Sequence, residues 1–229
     1  MPAPLLGFVC ALRAEAASLG VAPGPAGDIA KIGSTGMCIV AGPGDRNAAT
    51  GAARLIEAGV GALVSWGFAG SLHPYLTPGR LVLPRKVRID DENGTVFDAD
   101  DSLWTDVFEM AKQDLAPFSG DLVCAAGIVR TPPAKRRMFQ TLGAPAVDME
   151  SGGIMRVARA HAVPSVVARA IVDADSLEIP SYIGADGRLG PIVAGLARKP
   201  ASIAALIALA DGYRRARSTL RKMARRMTK

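Results

Sequence analysis

Glu15, Glu150 and Asp173 are acids that stand where an apolar run gives way to a helix start or a turn. Glu15 follows the run Leu5 to Leu12. Glu150 sits in Val147-Asp148-Met149-Glu150-Ser151, between a strand-like Ala146-Val147 and an apolar helical pattern opened by Ser151-Gly152-Gly153, where backbone amides lack partners. Asp173 closes the run Ser165 to Val172, and two glycine-rich turns, Gly42-Pro43-Gly44 and Gly67-Phe68-Ala69-Gly70, follow apolar runs in the same way. Ligands of open α/β sheets bind outside the carboxyl ends of the strands. Three carboxylates and two glycine turns at such ends suit a polar sugar held by one acid while others move protons. Singly, each has a plainer reading: a first-turn acid facing the helix dipole, a cap, or a turn that binds nothing.

The elements that would position these groups follow from hydropathy. Leu5–Leu12 is apolar throughout, as a strand buried on both faces should be. A short helix follows over Arg13–Leu19, a hairpin over Asp28–Thr35 and Met37–Ala41, and a helix over Asn47–Ala58. Further strands are expected at Ala62–Trp66, Leu81–Pro84, Val87–Ile89, Leu122–Val129, Ala144–Met149 and Ser165–Val172. Helices are expected from Ser102, as cap, to Ala116, over Pro133–Leu142 and over Gly152–Ala162. Asp90–Asp101 is polar and reads as an exposed loop, and Ser176–Gly190 is turn-rich in the manner of a lid. Helical stretches at 191–197 and from Ala201 onward finish the chain. Alternating strands and helices predict an α/β class, with a sheet sandwiched between helices in three α/β/α layers.

Composition narrows the function classes. With 229 residues, 49% hydrophobic, the chain suits one well-buried domain spanning 1–229. Aromatics at 5% argue against stacking nucleic-acid bases. Cys10, Cys38 and Cys124 each lie inside an apolar run, which predicts buried free thiols in a reducing, cytoplasmic setting. His73 and His161 are the only histidines and no Cys-x-x-Cys spacing exists, so neither a metal nor another cofactor is expected. Met1-Pro2-Ala3-Pro4 has no basic segment, and the apolar run after it is too short for a membrane span.

Gly7 to Glu15, Ser65 to Leu72, Val147 to Ser151 and Arg169 to Asp175, in that order across nearly the whole chain, resemble the nucleoside phosphorylase/nucleosidase superfamily. The likeness is nearest the methylthioadenosine/S-adenosylhomocysteine nucleosidase branch and, within it, hopanoid-associated phosphorylase-like proteins. It implies a phosphorylase/hydrolase-like fold with a central mixed, twisted sheet, a homo-oligomer (dimer or hexamer), and cleavage of a purine N-glycosidic bond through an oxocarbenium-like sugar. Residue by residue, Glu150 would bind the ribose 2′- and 3′-hydroxyls and Met149 would pack beneath the ribose. Ile128 and Val129 would flank adenine, with Phe68, Ala69 and Gly70 completing the binding turn. Asp173 would protonate the purine at N7, and Glu15 would orient or activate the attacking water. Three positions depart from the family pattern. Val172 and Phe68 stand where a small hydroxyl residue is common, and Ser65 stands where phosphorylases carry their phosphate-binding arginine. Water is therefore favoured as nucleophile, with phosphate as alternative co-substrate and Arg13, Arg46 and Gly44 as candidates to bind it.

Eight basic residues and no acid occur from Tyr213 to Lys229; without them the chain carries 19 basic and 21 acidic groups, so the tail accounts for the net charge of +6. Over 201–229 an amphipathic helix is expected, with Ile203, Leu206, Ile207 and Ala210 as an apolar stripe continued by Leu220, Met223 and Met227. Its plain reading is a solvated terminal helix. Its sharper one is peripheral contact with the anionic inner face of a membrane, fitting a lipid-linked nucleoside substrate; nucleic acid is disfavoured for want of interleaved aromatics.

Overall fold

The computed structural model describes residues 4–22, 24–181, 183–184 and 200–228. The expectations for Met1-Pro2-Ala3, for the helix at 191–197 and for the later part of the 176–190 lid lie outside these. Ten strands form one sheet: β1 (Leu6–Cys10), β2 (Ile29–Ile32), β3 (Gly36–Val40), β4 (Ala62–Ser71), β5 (Leu81–Val82), β6 (Lys86–Ile89), β7 (Val96–Asp98), β8 (Leu122–Cys124), β9 (Ala146–Asp148) and β10 (Ser165–Asp173). The order along the sheet is β2-β3-β1-β4-β9-β8-β6-β7, with β10 on the other flank of β4 and paired to β5. Parallel and antiparallel pairs mix, as expected.

β4 positions the site. Its first half pairs in parallel with β1, from Ala62 to Ser65, while its end, Gly70 and Ser71, pairs antiparallel with β9. Between these two partners, from Trp66 to Ala69, that edge of β4 carries no neighbouring strand among the described residues, and a crevice opens there. It is the sheet's switch point, where ligands of open α/β sheets bind.

Successive residues of β1 and β4 face opposite layers. Phe8, Val64 and Trp66 enter the core under α3 (Asp101–Leu115) and α6 (Pro200–Met227), where Leu220 and Met223 are fully buried. Val9 and Leu63 enter the core under α2 (Asp45–Glu57) and α5 (Ser151–Ala160), where Ala48, Ala52, Ile154 and Ala158 are packed. Phe8 and Trp66 meet edge to face, 5.6 Å between centroids, a geometry worth about 0.5–1.5 kcal/mol beyond burial. The remaining helices are a single turn, α1 (Arg13–Ala16), continued as a 3-10 turn to Leu19, and α4 (Pro132–Leu142).

Several boundaries differ from expectation. The cap of α3 is Asp100, whose carboxylate accepts from the Leu103 amide, not Ser102. The acidic stretch before it contains β7, which pairs with β6 because Val96 and Phe97 have an apolar face to bury. β8 stops at Cys124, so Ile128 and Val129 sit on a loop. β10 continues through Asp173. In the apolar stripe of α6, Ile203 and Ile207 are exposed, while Leu220 and Met223 are buried. All three cysteines are free and buried, as expected.

Candidate active site

A cavity of about 680 Å³ occupies the crevice. Of the expected site residues, Glu15, Glu150, Asp173, Met149, Ile128, Val129, Phe68, Ala69 and Gly70 all line it. The structure does not bring Arg13 or Arg46 to it. Arg13 is exposed, with Nη2 donating to the Gly24 carbonyl at 2.8 Å, and Arg46 is exposed on the first turn of α2. Gly44, at φ 93° in the left-handed region that favours glycine, instead turns its amide toward Glu150 Oε1 at 3.0 Å.

Two charged clusters share the wall. In the first, Arg169 of β10 is fully buried among three carboxylates. Its Nη2 lies 2.8 Å from Asp148 Oδ2 and 3.5 Å from Glu150 Oε2, and its Nη1 lies 4.0 Å from Glu15 Oε1. Asp148 also accepts from the Ser151 hydroxyl, and Ser65 Oγ accepts from Arg169 Nη2 at 2.8 Å. Ser65 thus helps to hold Arg169. Residue 67 must be glycine here, because a side-chain carbon would collide with both Glu15 and Arg169.

Glu15 is held by three amides: Ala11 and Leu12 donate to Oε2 at 2.8 Å each, and Phe68 donates to Oε1 at 2.9 Å. Burial outweighs these donors and the Arg169 charge, and pushes its carboxyl up to about 7. Burial likewise raises Glu150, opposed chiefly by Arg169. For Arg169 burial works against the charge, but Asp148, Glu150 and Glu15 together hold the guanidinium firmly protonated. A carboxyl near 7 exchanges protons readily at neutral pH, as a general base requires.

The second cluster is Asp173 with Lys135. The pairing of β10 with β4 slips by one residue between Ile171 and Asp173, a bulge at Val172 that re-aims the side chains on either side. Val172 and Asp173 therefore both reach the cavity. Lys135 Nζ donates to Asp173 Oδ2, to the Ala174 carbonyl at 2.7 Å and to the Leu177 carbonyl at 3.1 Å.

Beyond the carboxylates the wall is apolar: Ile179, Ile183, Leu206, Leu209 and Tyr213, the last with its ring 5.1 Å from that of Phe68. Arg130 fastens the early lid segment, its Nη1 and Nη2 donating to the Pro180 and Ile183 carbonyls at 2.8 and 2.9 Å. No group of three or more His, Cys, Asp or Glu side chains among the described residues is arranged to hold a metal ion.

Residues 29–186 match the family model described as Phosphorylase superfamily. No curated protein matches the sequence. Among solved structures, the 5′-methylthioadenosine/S-adenosylhomocysteine nucleosidase of Neisseria meningitidis, in complex with methylthio-immucillin-A, superposes with a TM-score of 0.74 at 18% identity, covering 97% of each chain. The corresponding Helicobacter pylori enzyme gives 0.72 at 18% identity over 97% of this chain and 96% of that one. The futalosine hydrolase of Helicobacter pylori gives 0.68 at 20% identity over 95% and 96%.

Proposed function

The chain belongs to the phosphorylase superfamily, and from that premise we propose that it is an enzyme that cleaves the N-glycosidic bond of an adenosine with a large apolar 5′ substituent, releasing adenine. The observation that carries this reading is the make-up of the cavity wall, which joins three acids, Glu15, Glu150 and Asp173, to an apolar set that includes Ile179, Ile183, Leu206 and Leu209. In this reading Glu150 accepts the ribose 2′- and 3′-hydroxyls in charge-assisted hydrogen bonds. Met149 supports the ring, while Ile128 and Val129 flank the base with Phe68, Ala69 and Gly70 opposite. Asp173 gives its proton to N7 as the C1′–N9 pair withdraws into the purine, and Glu15 takes a proton from the water that attacks C1′. Water rather than phosphate is supported by the position of Glu15 in the wall and of Arg13 and Arg46 outside it.

The finer reading is that the 5′ group is a hopanoid, so that adenosylhopane gives adenine and ribosylhopane. An apolar wall favours such a group over the charged amino-acid tail of S-adenosylhomocysteine, because a zwitterion would lose its hydration there without partners. The test is mass spectrometry of products from a long-chain 5′-alkyl adenosine and from S-adenosylhomocysteine, with and without phosphate. Free adenine and a free sugar, faster from the alkyl substrate and independent of phosphate, are expected. A sugar 1-phosphate would make the protein a phosphorylase, preference for the homocysteine compound would remove the lipid reading, and tight binding without release would make it a nucleoside-binding module.

The same reading places the protein in the cytoplasm, at the inner membrane face. No helix among the described residues is long and apolar enough to cross a membrane. One face of α6 supports surface contact: Ile203 and Ile207 are 46% and 65% exposed, and Arg214, Arg221 and Arg225 follow on that face at intervals of 7, 7 and 4 residues, all exposed. Two exposed isoleucines followed by a row of arginines, the first of which also pairs with Asp211, match an anionic bilayer, at about 1 kcal/mol per Lys or Arg near the surface. Flotation with phosphatidylglycerol vesicles is expected to lift the protein, and to fail for Arg221→Glu/Arg225→Glu. Equal flotation of both forms ends this idea, and sedimentation velocity measures the proposed homo-oligomer, whose second copy is the competing occupant of Ile203 and Ile207.

A further inference from the structure

Lys135 occupies a position that ordinary helix energetics disfavour. Thr131 caps α4, Pro132 and Pro133 fix its first turn, and Lys135 follows within that turn. A cation there opposes the helix dipole, whose positive end lies at the N-terminus. The side chain is also fully buried, where lysine is rarely found unless paired. Its ammonium has three N–H donors, and three acceptors surround it: Asp173 Oδ2 and the carbonyls of Ala174 and Leu177. All three acceptors belong to the stretch at the end of β10, so the lysine is built into that one corner of the cavity. The other carboxyl oxygen, Oδ1, has no bond to Lys135; both oxygens lie close to Gly70 in the cavity wall, Oδ1 slightly the nearer.

We propose that Lys135 is a positioning residue for the base-protonating acid: its ammonium fixes one carboxyl oxygen of Asp173, leaves the other facing the purine, and balances the negative charge Asp173 acquires when its proton passes to N7. This rests on the function proposed above. It also answers the departure at Val172: with no hydroxyl beside Asp173, orientation comes from a helix on the other side. Electrostatics agree in direction. Burial raises the Asp173 carboxyl and Lys135 lowers it, so the acid is protonated more readily than a solvent-exposed aspartate yet still gives up its proton. Lys135 is the charged group acting on Asp173 among the described residues; Glu15 and Glu150 act on Arg169 and on each other.

The test compares Lys135→Met, Lys135→Gln, Asp173→Asn and the Lys135→Met/Asp173→Asn double variant, with circular dichroism reporting the fold. Lys135→Gln keeps donors for the two carbonyls but no charge, and so serves where Lys135→Met does not fold. Either uncharged variant is expected to lose about 10²-fold in kcat with little change in KM, as loss of a general acid's function does. Its alkaline limb should move to higher pH, because without the cation Asp173 holds its proton longer. The double variant should be no slower than Asp173→Asn alone. Additive losses, or an alkaline limb that stays in place, would overturn the proposal. Infrared titration of ¹³C-aspartate-labelled protein, taken as the difference from Asp173→Asn, follows the same carboxyl without substrate. An upward move in Lys135→Met is expected; an unmoved titration refutes the role of Lys135, whereas absence of adenine release by the wild type refutes only the function.

Discussion

Replacing Asp173 by asparagine is expected to lower kcat for adenine release by about 10²- to 10⁴-fold, the span that a positioned general acid contributes. KM should change little, because asparagine keeps the shape and one acceptor oxygen while it cannot deliver a proton. Burial at 3% exposure ensures that bulk water does not take over the role. Steady-state kinetics on a 5′-alkyl adenosine measures this directly, and a kcat within tenfold of wild type would remove Asp173 from the chemical step. In the proposed mechanism Glu15 sets the opposite limb of the wild-type profile. Its carboxyl sits at about 7, and a base acts only when ionised. kcat/KM should therefore fall about tenfold per pH unit below that point and level off above it. Glu150→Gln should act mainly on KM instead, since in the proposed mechanism the carboxylate there holds hydroxyls and moves no proton.

Arg169→Met should carry the largest stability penalty of any substitution in the site. One guanidinium faces Asp148, Glu150 and Glu15, and removing it leaves three buried carboxylates without a counter-charge. Breaking a buried charge pair in this way costs about 3–5 kcal/mol. At about 2–4 °C per kcal/mol for a chain of this size, the melting temperature should drop by roughly 6–20 °C. The sign against pH follows from the carboxylates. In the variant they ionise less readily when folded than when unfolded, so the penalty is full at pH 8 and shrinks toward pH 5 as they take up protons. Thermal melts at both values measure it; equal melting temperatures at pH 8 would mean that the cluster needs no cation. Arg169→Lys, which keeps charge but loses the planar fork, should fall between the two.

Most strands were legible because they are apolar runs, whereas β7 was hidden in an acidic stretch and β8 stops short of the apolar run that suggested it; the three acids were legible because they mark the ends of such runs. Arg169 left a trace of another kind: a lone cation in the middle of Ser165–Asp173, whose every neighbour is apolar, must find buried partners. Among the carboxylates, Asp148, two residues before Glu150, makes the shortest contact with it. Lys135 left no such trace, because Ala134-Lys135-Arg136-Arg137 reads as a solvated basic turn; only the tertiary packing of α4 against the end of β10 distinguishes the first cation from those after it. The bulge at Val172 is equally silent, since register is set by both strands of a pair. For Ile203 and Ile207 helical spacing identified an apolar stripe but did not say which side of it the sheet would cover; both are exposed.

The seat of the terminal helix has a consequence for how this protein can change. A side-chain carbon at Gly212 would run into the carbonyl of Val172, so α6 rests its backbone on the bulge that also aims Asp173. The groups assigned to bond cleavage all precede residue 174, while Leu206, Leu209 and Tyr213 come from a later segment that packs against the end of β10. Selectivity and reactivity are thus carried by separable pieces of sequence. Exchanging the cavity-facing side chains of α6 would retarget the protein to another 5′ group with its proton transfers intact, whereas enlarging residue 212 would disturb both at once.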